Sequence, residues 1–191
     1  MRRRTFDILA SSAGLLLAIV LAVAGVLLIW AYSFVNSQVS SELSAQKIVF
    51  PAANSAAIKE LPPADAAAMS KYAGQLMTTG AQAQTYADHF IAVHLNKIGG
   101  GKTYSQLSAQ SLANPSNAAL KAQVDTVFKG ETLRGLLLNA YAFWQMGQIA
   151  LIGGIVALVA AVVLLILAVL GFLHLRRTPA DAELLAEKQP A

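Results

Sequence analysis

The sequence predicts an all-α membrane protein: two transmembrane helices, a helical extracytoplasmic domain inserted between them, and a second span continuous with a long external helix. Three observations predict this class. Residues 135–175 contain no Asp, Glu, Lys or Arg, and a bilayer core about 30 Å thick needs roughly 20 such residues in a helix. Residues 8–38 form a second uncharged run. Across the whole chain 13% of residues are charged and 56% hydrophobic, where soluble domains carry about 25% charged residues. The expected divisions are a cytoplasmic N-terminus at 1–7, a first span at 8–35, an extracytoplasmic domain at 36–140, a second span at 141–175 and a cytoplasmic tail at 176–191.

The formal net charge of +4 would suggest nucleic acid only if basic residues clustered on a soluble face. Instead Arg2-Arg3-Arg4 and Arg176-Arg177 stand at the ends of the apolar runs, where they act as topology anchors that stay inside. Both termini are therefore expected in the cytoplasm, with the long segment outside. No nucleic-acid partner is expected. The chain has no cysteine, which excludes disulfides, thiol catalysis and cysteine-ligated metal.

Ala22-Val23-Ala24 has the small-x-small form of a cleavage site. The apolar run continues through Trp30, however, and outlasts the 7–15 residues or so of a secretory signal core, so an uncleaved anchor is expected. Trp30, Tyr32 and Phe34 close the first span, and Tyr141, Phe143 and Trp144 open the second. Both sets read as aromatic belts at one membrane–water interface. Each span carries a stripe of small residues: Ala10, Gly14, Ala18 and Ala22 with Gly25 nearby, and Gly147, Ala150, Gly154, Ala157, Ala161, Ala168 and Gly171. Small residues let helix backbones approach closely in lipid. The stripes are expected to pair with each other or with another protein, and Val156 and Leu158 to point elsewhere.

Between the spans, residues 33–47 continue the first helix in polar form, and residues 47–51 (Lys-Ile-Val-Phe-Pro) form an extended segment. Pro63 suits the first turn of a short helix over 64–72, with Asp65 near its N-terminus. A clear amphipathic helix is expected over 81–98, with Ala87, Phe90, Ile91, His94, Leu95 and Ile98 on one face. Gly99-Gly100 stops it. Thr103 caps the next helix, with Gln106 as its capping-box partner. Asn114-Pro115 is expected to cap a long helix beginning near Ser116, with Gly130 as a candidate kink, and residues 131–175 form one rod.

The chemistry-bearing candidates are few. Residues 96–103 resemble a phosphate-binding loop, but Asn96 stands where the leading glycine belongs and the segment follows a helix. A helix stop plus an N-cap accounts for every residue. His89 and His94 are five residues apart and therefore diverge by roughly 140° on a helix, so no metal site is expected. Glu42, Glu60, Asp65, Asp88, Asp125 and Glu131 are scattered singly, and the spans hold no ionisable pathway. No catalytic, cofactor-binding or metal-binding residue is assigned, and no cofactor is expected.

Three stretches carry a resemblance: Tyr86-Ala-Asp-His-Phe-Ile-Ala-Val-His94, Gly99-Gly-Gly-Lys-Thr-Tyr-Ser-Gln-Leu107 and Glu131-Thr-Leu-Arg-Gly-Leu-Leu-Leu-Asn-Ala-Tyr-Ala-Phe-Trp144. With them the chain resembles an actinobacterial family of small two-span membrane proteins of unassigned function, from the first span through the second. Members are often labelled aromatic ring-opening dioxygenase. Such enzymes hold iron through histidine and carboxylate ligands, and this sequence has no such cluster. The resemblance implies a Gram-positive-type plasma membrane and no catalytic residues. The expected role is that of a non-catalytic partner-binding, scaffold or accessory protein of the cell envelope. The alternative is a binding module for a lipid or envelope small molecule, using an apolar cleft.

Overall fold

The computed structural model describes residues 3–177; the proline-flanked tail lies outside the described residues. The helices are α1 (Arg3–Ala45), α2 (Ala56–Lys59), α3 (Pro63–Ser70), α4 (Gly80–Tyr86), a π-turn (Ala87–Ile91), α5 (Ala92–Gly99), α6 (Tyr104–Ala113) and α7 (Ala118–Leu175). At about 1.5 Å per residue, the 43 residues of α1 and 58 of α7 run roughly 64 Å and 87 Å. Both are long and apolar enough to cross a membrane, and only 11% of each apolar window is buried. A core helix of a soluble protein would hide that surface.

The chain divides into two compact units, residues 1–32 with 148–191, and residues 33–147. In the first, α1 and α7 pair antiparallel: Gly14 meets Ala168, Gly25 meets Gly154 and Leu158, and Gly153 meets Leu28. The buried positions recur every seven residues, at Ser11, Ala18 and Gly25 on α1 and Gly154, Ala161 and Ala168 on α7. Seven is the period that keeps one helix face on its neighbour. The α7 stripe read from the sequence is this face. The α1 stripe needs correction, because Ala10 is exposed and Ser11 takes its place. A four-residue step drifts by about 40° each time around a helix of 3.6 residues per turn, so the three steps from Ala10 to Ala22 leave the seam. Leu158 does not point elsewhere, since it packs on Gly25, whereas Val156 is 62% exposed.

In the second unit Phe50 is 1% exposed and lies in a core with Leu43, Ile58, Met69, Met77, Ala87 and Leu137. The rings of Tyr72 and Tyr86 stand 5.3 Å from it. The extended segment forms as expected. Met77 N–H donates to the Ile48 carbonyl at 2.8 Å and Phe50 N–H to the Gln75 carbonyl at 2.9 Å, around an antiparallel bridge of Val49 with Leu76. Lys47, at φ 55°, turns the chain out of α1. Pro63 opens α3, and Thr103 and Gln106 form the expected box at α6.

Two expectations change here. The cap of α7 is Asn117, whose Oδ1 accepts from Leu120 N–H at 3.0 Å; Asn114 instead accepts from Asn117 N–H in the preceding turn. Trp144, expected at a membrane–water interface, packs onto the core and against Gly80, where any side chain would collide with its indole. Gly130 lies inside an uninterrupted helix, and its role is to leave room for Leu95.

Candidate functional site

An apolar cleft and a set of ion pairs, both within residues 33–147, are the candidate features. The cleft has a volume of about 470 Å³ and runs between the stretch of α1 from Phe34 to Gln46 and the stretch of α7 from Leu136 to Phe143. Val39 and Leu43, nearly fully buried, make its floor, while Phe34, Leu136 and Phe143 are more than half exposed at its rim. Gln38 and Glu42 stand one helical turn apart on one edge, and Gln38 Nε2 donates to Glu42 Oε1 at 3.0 Å. The helical period creates this layout: Val35, Val39 and Leu43 share one face, with Gln38, Glu42 and Gln46 one step round the helix. Its volume falls in the range of about 300–1,000 Å³ typical of small-molecule sites.

Most of the charged candidates are engaged in separate ion pairs. The π-turn shifts the backbone bond so that Ala92 N–H reaches the Ala87 carbonyl, and on this turn Asp88 and His89 face different neighbours. His89 Nδ1–H donates to Asp65 Oδ1 at 2.7 Å, since an ionised carboxylate only accepts. Arg134 Nη2 donates to Asp88 at 3.1 Å, and its Nη1 lies 3.6 Å from Glu131. Lys97 lies 3.6 Å from Glu60, and Lys129 pairs with Asp125 at 2.6 Å. His94 turns away from His89: its Nδ1–H donates to the Phe90 carbonyl at 2.7 Å, and its ring lies 4.4 Å from that of Phe90. Among the described residues no three His, Cys, Asp or Glu side chains converge to hold a metal ion.

The glycine-rich loop is a helix stop followed by a cap. Gly100 and Gly101 have φ of 60° and 78°, which suits glycine. The Thr103 hydroxyl accepts from Gln106 N–H, and Lys102 Nζ donates to Gln110 at 3.0 Å. A cavity of about 230 Å³ beside it is lined by Asn96, Lys102, Glu131 and Arg134, among others.

Sequence reasoning did not find Arg134 as the shared partner of Asp88 and Glu131, nor the second capping box, in which Thr79 caps α4 with Gln82. The spacing Thr79-x-x-Gln82 is the same signal as Thr103-x-x-Gln106. Nearby, burial pushes the Tyr86 phenol above its ordinary pKa. Comparison with protein-family models, curated proteins and solved structures finds no match to this chain.

Proposed function

We propose that this is a two-span protein of the plasma membrane, with both termini in the cytoplasm and residues 36–140 outside, and that its outer part binds a partner rather than catalysing a reaction. One observation carries the reading. The side chains that acid–base chemistry would need are engaged pairwise across the outer unit: Asp65 with His89, Asp88 and Glu131 with Arg134, and Glu60 with Lys97. A general base, even one oriented by such a pair, must also reach a substrate proton from within a shared pocket. The membrane placement is supported by the two exposed apolar helices and by arginines at the ends of those helices remote from residues 36–140. The small-residue seams face each other within one chain, so recognition of a protein partner is assigned to the outer part. The cleft favours a second reading, binding of a lipid or an envelope small molecule.

Topology is tested by single cysteines in this cysteine-free chain. A cysteine replacing the exposed Ser70 should react with a membrane-impermeant maleimide on intact spheroplasts. One replacing Ala180 should not. Reversed labelling would overturn the proposed orientation.

A further inference from the structure

We propose that the cleft between α1 and α7 holds a single hydrocarbon chain of a membrane lipid. The proposal deepens the second reading above and rests on the membrane placement.

The lining sets the ligand's polarity. The floor is Val39 and Leu43, at 8% and 2% exposure, and the rim is Phe34, Leu136 and Phe143. The floor is held by the domain core, so the cleft is preformed. The exposed rim is the apolar surface that an occupant would withdraw from water. The polar side chains Gln38, Glu42 and Gln46 keep to one edge, where Gln38 and Glu42 bond to each other. Glu42 is the one charged residue in the lining, and it disfavours a phosphate at that end. The chain, not the headgroup, is what this site recognises.

The cleft offers about 470 Å³, within the range of about 300–1,000 Å³ typical of sites that take one small ligand. Supply agrees: its walls are the stretches of α1 and α7 that adjoin the apolar runs in sequence.

The test uses the full chain in nanodiscs made of equal parts phosphatidylcholine and phosphatidylglycerol. The probe is a trace of phosphatidylcholine carrying a photoactivatable diazirine on its acyl chain, with adducts mapped by mass spectrometry. Adducts are expected on residues 34–46 and 136–143 as well as on the apolar runs. Leu136→Trp, at an exposed rim position, and Ala140→Leu should each lower the cleft adducts about tenfold, the factor that corresponds to 1.4 kcal/mol. Leu112→Trp, on a side chain 81% exposed and outside the cleft, should not. A phosphatidylglycerol probe with the same chain should label the cleft equally. Adducts on the apolar runs but none in the cleft would overturn the proposal while leaving the membrane reading intact. So would cleft labelling indifferent to both filling variants, strict headgroup dependence, or labelling that appears only when a co-purifying protein is stripped away. Absence of adducts on the apolar runs as well would overturn the membrane reading itself.

Discussion

Gly25 and Gly154 face each other's backbone: a Cβ built on either would lie 3.0 Å from the other's carbonyl oxygen. The approach is reciprocal, and Leu158 and Ile29 close it on either side, 2.7 Å and 2.9 Å from the same imagined Cβ atoms. Backbone cannot rotate away as a side-chain tip can. A helical Gly→Ala change normally gains up to about 1 kcal/mol. Gly25→Ala and Gly154→Ala should instead cost about 1–3 kcal/mol by overpacking, read as a lower melting temperature in detergent. Val156→Leu, on a side chain 62% exposed, should be neutral. If all three behave alike, the seam does not hold the helices together.

Two glycines of α7 should respond with opposite signs. Gly130→Ala drives a methyl group into the Leu95 side chain, itself only 7% exposed, and should destabilise by about 1–3 kcal/mol. Gly135 has nothing within 4 Å of its would-be Cβ, so Gly135→Ala should stabilise by roughly 0.5–1 kcal/mol. Thermal unfolding of the two variants side by side decides it, and matching signs would refute the Leu95 contact.

Arg134 uses two nitrogens for two carboxylates, Nη2 for Asp88 and Nη1 for Glu131, with its side chain 32% exposed. A lysine ammonium lacks that fork. Arg134→Lys should therefore lose about 1 kcal/mol, near the upper end for partly exposed pairs. In a double-mutant cycle, Asp88→Asn should cost less on the Lys background than on the parent.

Tyr86 gives an alkaline signature. Burial raises its pKa above the ordinary 10.0, so the folded state keeps the phenol protonated where the unfolded chain begins to ionise. The stabilisation is complete below pH about 10 and is lost as pH rises from there through the raised folded value. Tyr86→Phe should move alkaline unfolding to higher pH. It should also remove a component that ionises above the ordinary range from the phenolate absorbance titration of the folded protein. An unchanged titration would show that burial does not hold Tyr86 protonated.

Local signals were the legible ones. Apolar spacing marked the long helices, Gly100 the end of α5, Pro63 the start of α3, and the β-branched run before Pro51 the extended segment. These features depend on residues within a turn or two of each other. What escaped depends on tertiary context. Asn114 and Asn117 flank Pro115-Ser116 and are equivalent as letters; only the hydrogen bond from Leu120 N–H to Asn117 Oδ1 decides which one caps α7. The π-turn at Ala87–Ile91 carries no proline or glycine to announce it. Arg134 meets Asp88 from 46 residues away, and nothing local to Trp144 shows Gly80 packed against it. The cleft is missing volume, which no residue type encodes.

The pairing of Gly25 with Gly154 also sets an order of events in synthesis. The two lie about 130 residues apart, and at roughly 5–20 residues per second the second emerges on the order of ten seconds after the first. On the proposed topology, α1 therefore enters the bilayer as a solitary helix, its Ser11, Ala18 and Gly25 face turned to lipid, and waits there until α7 arrives. The nascent chain is most open to wrong partners during that interval, and a factor that shields α1 at the site of insertion would act then.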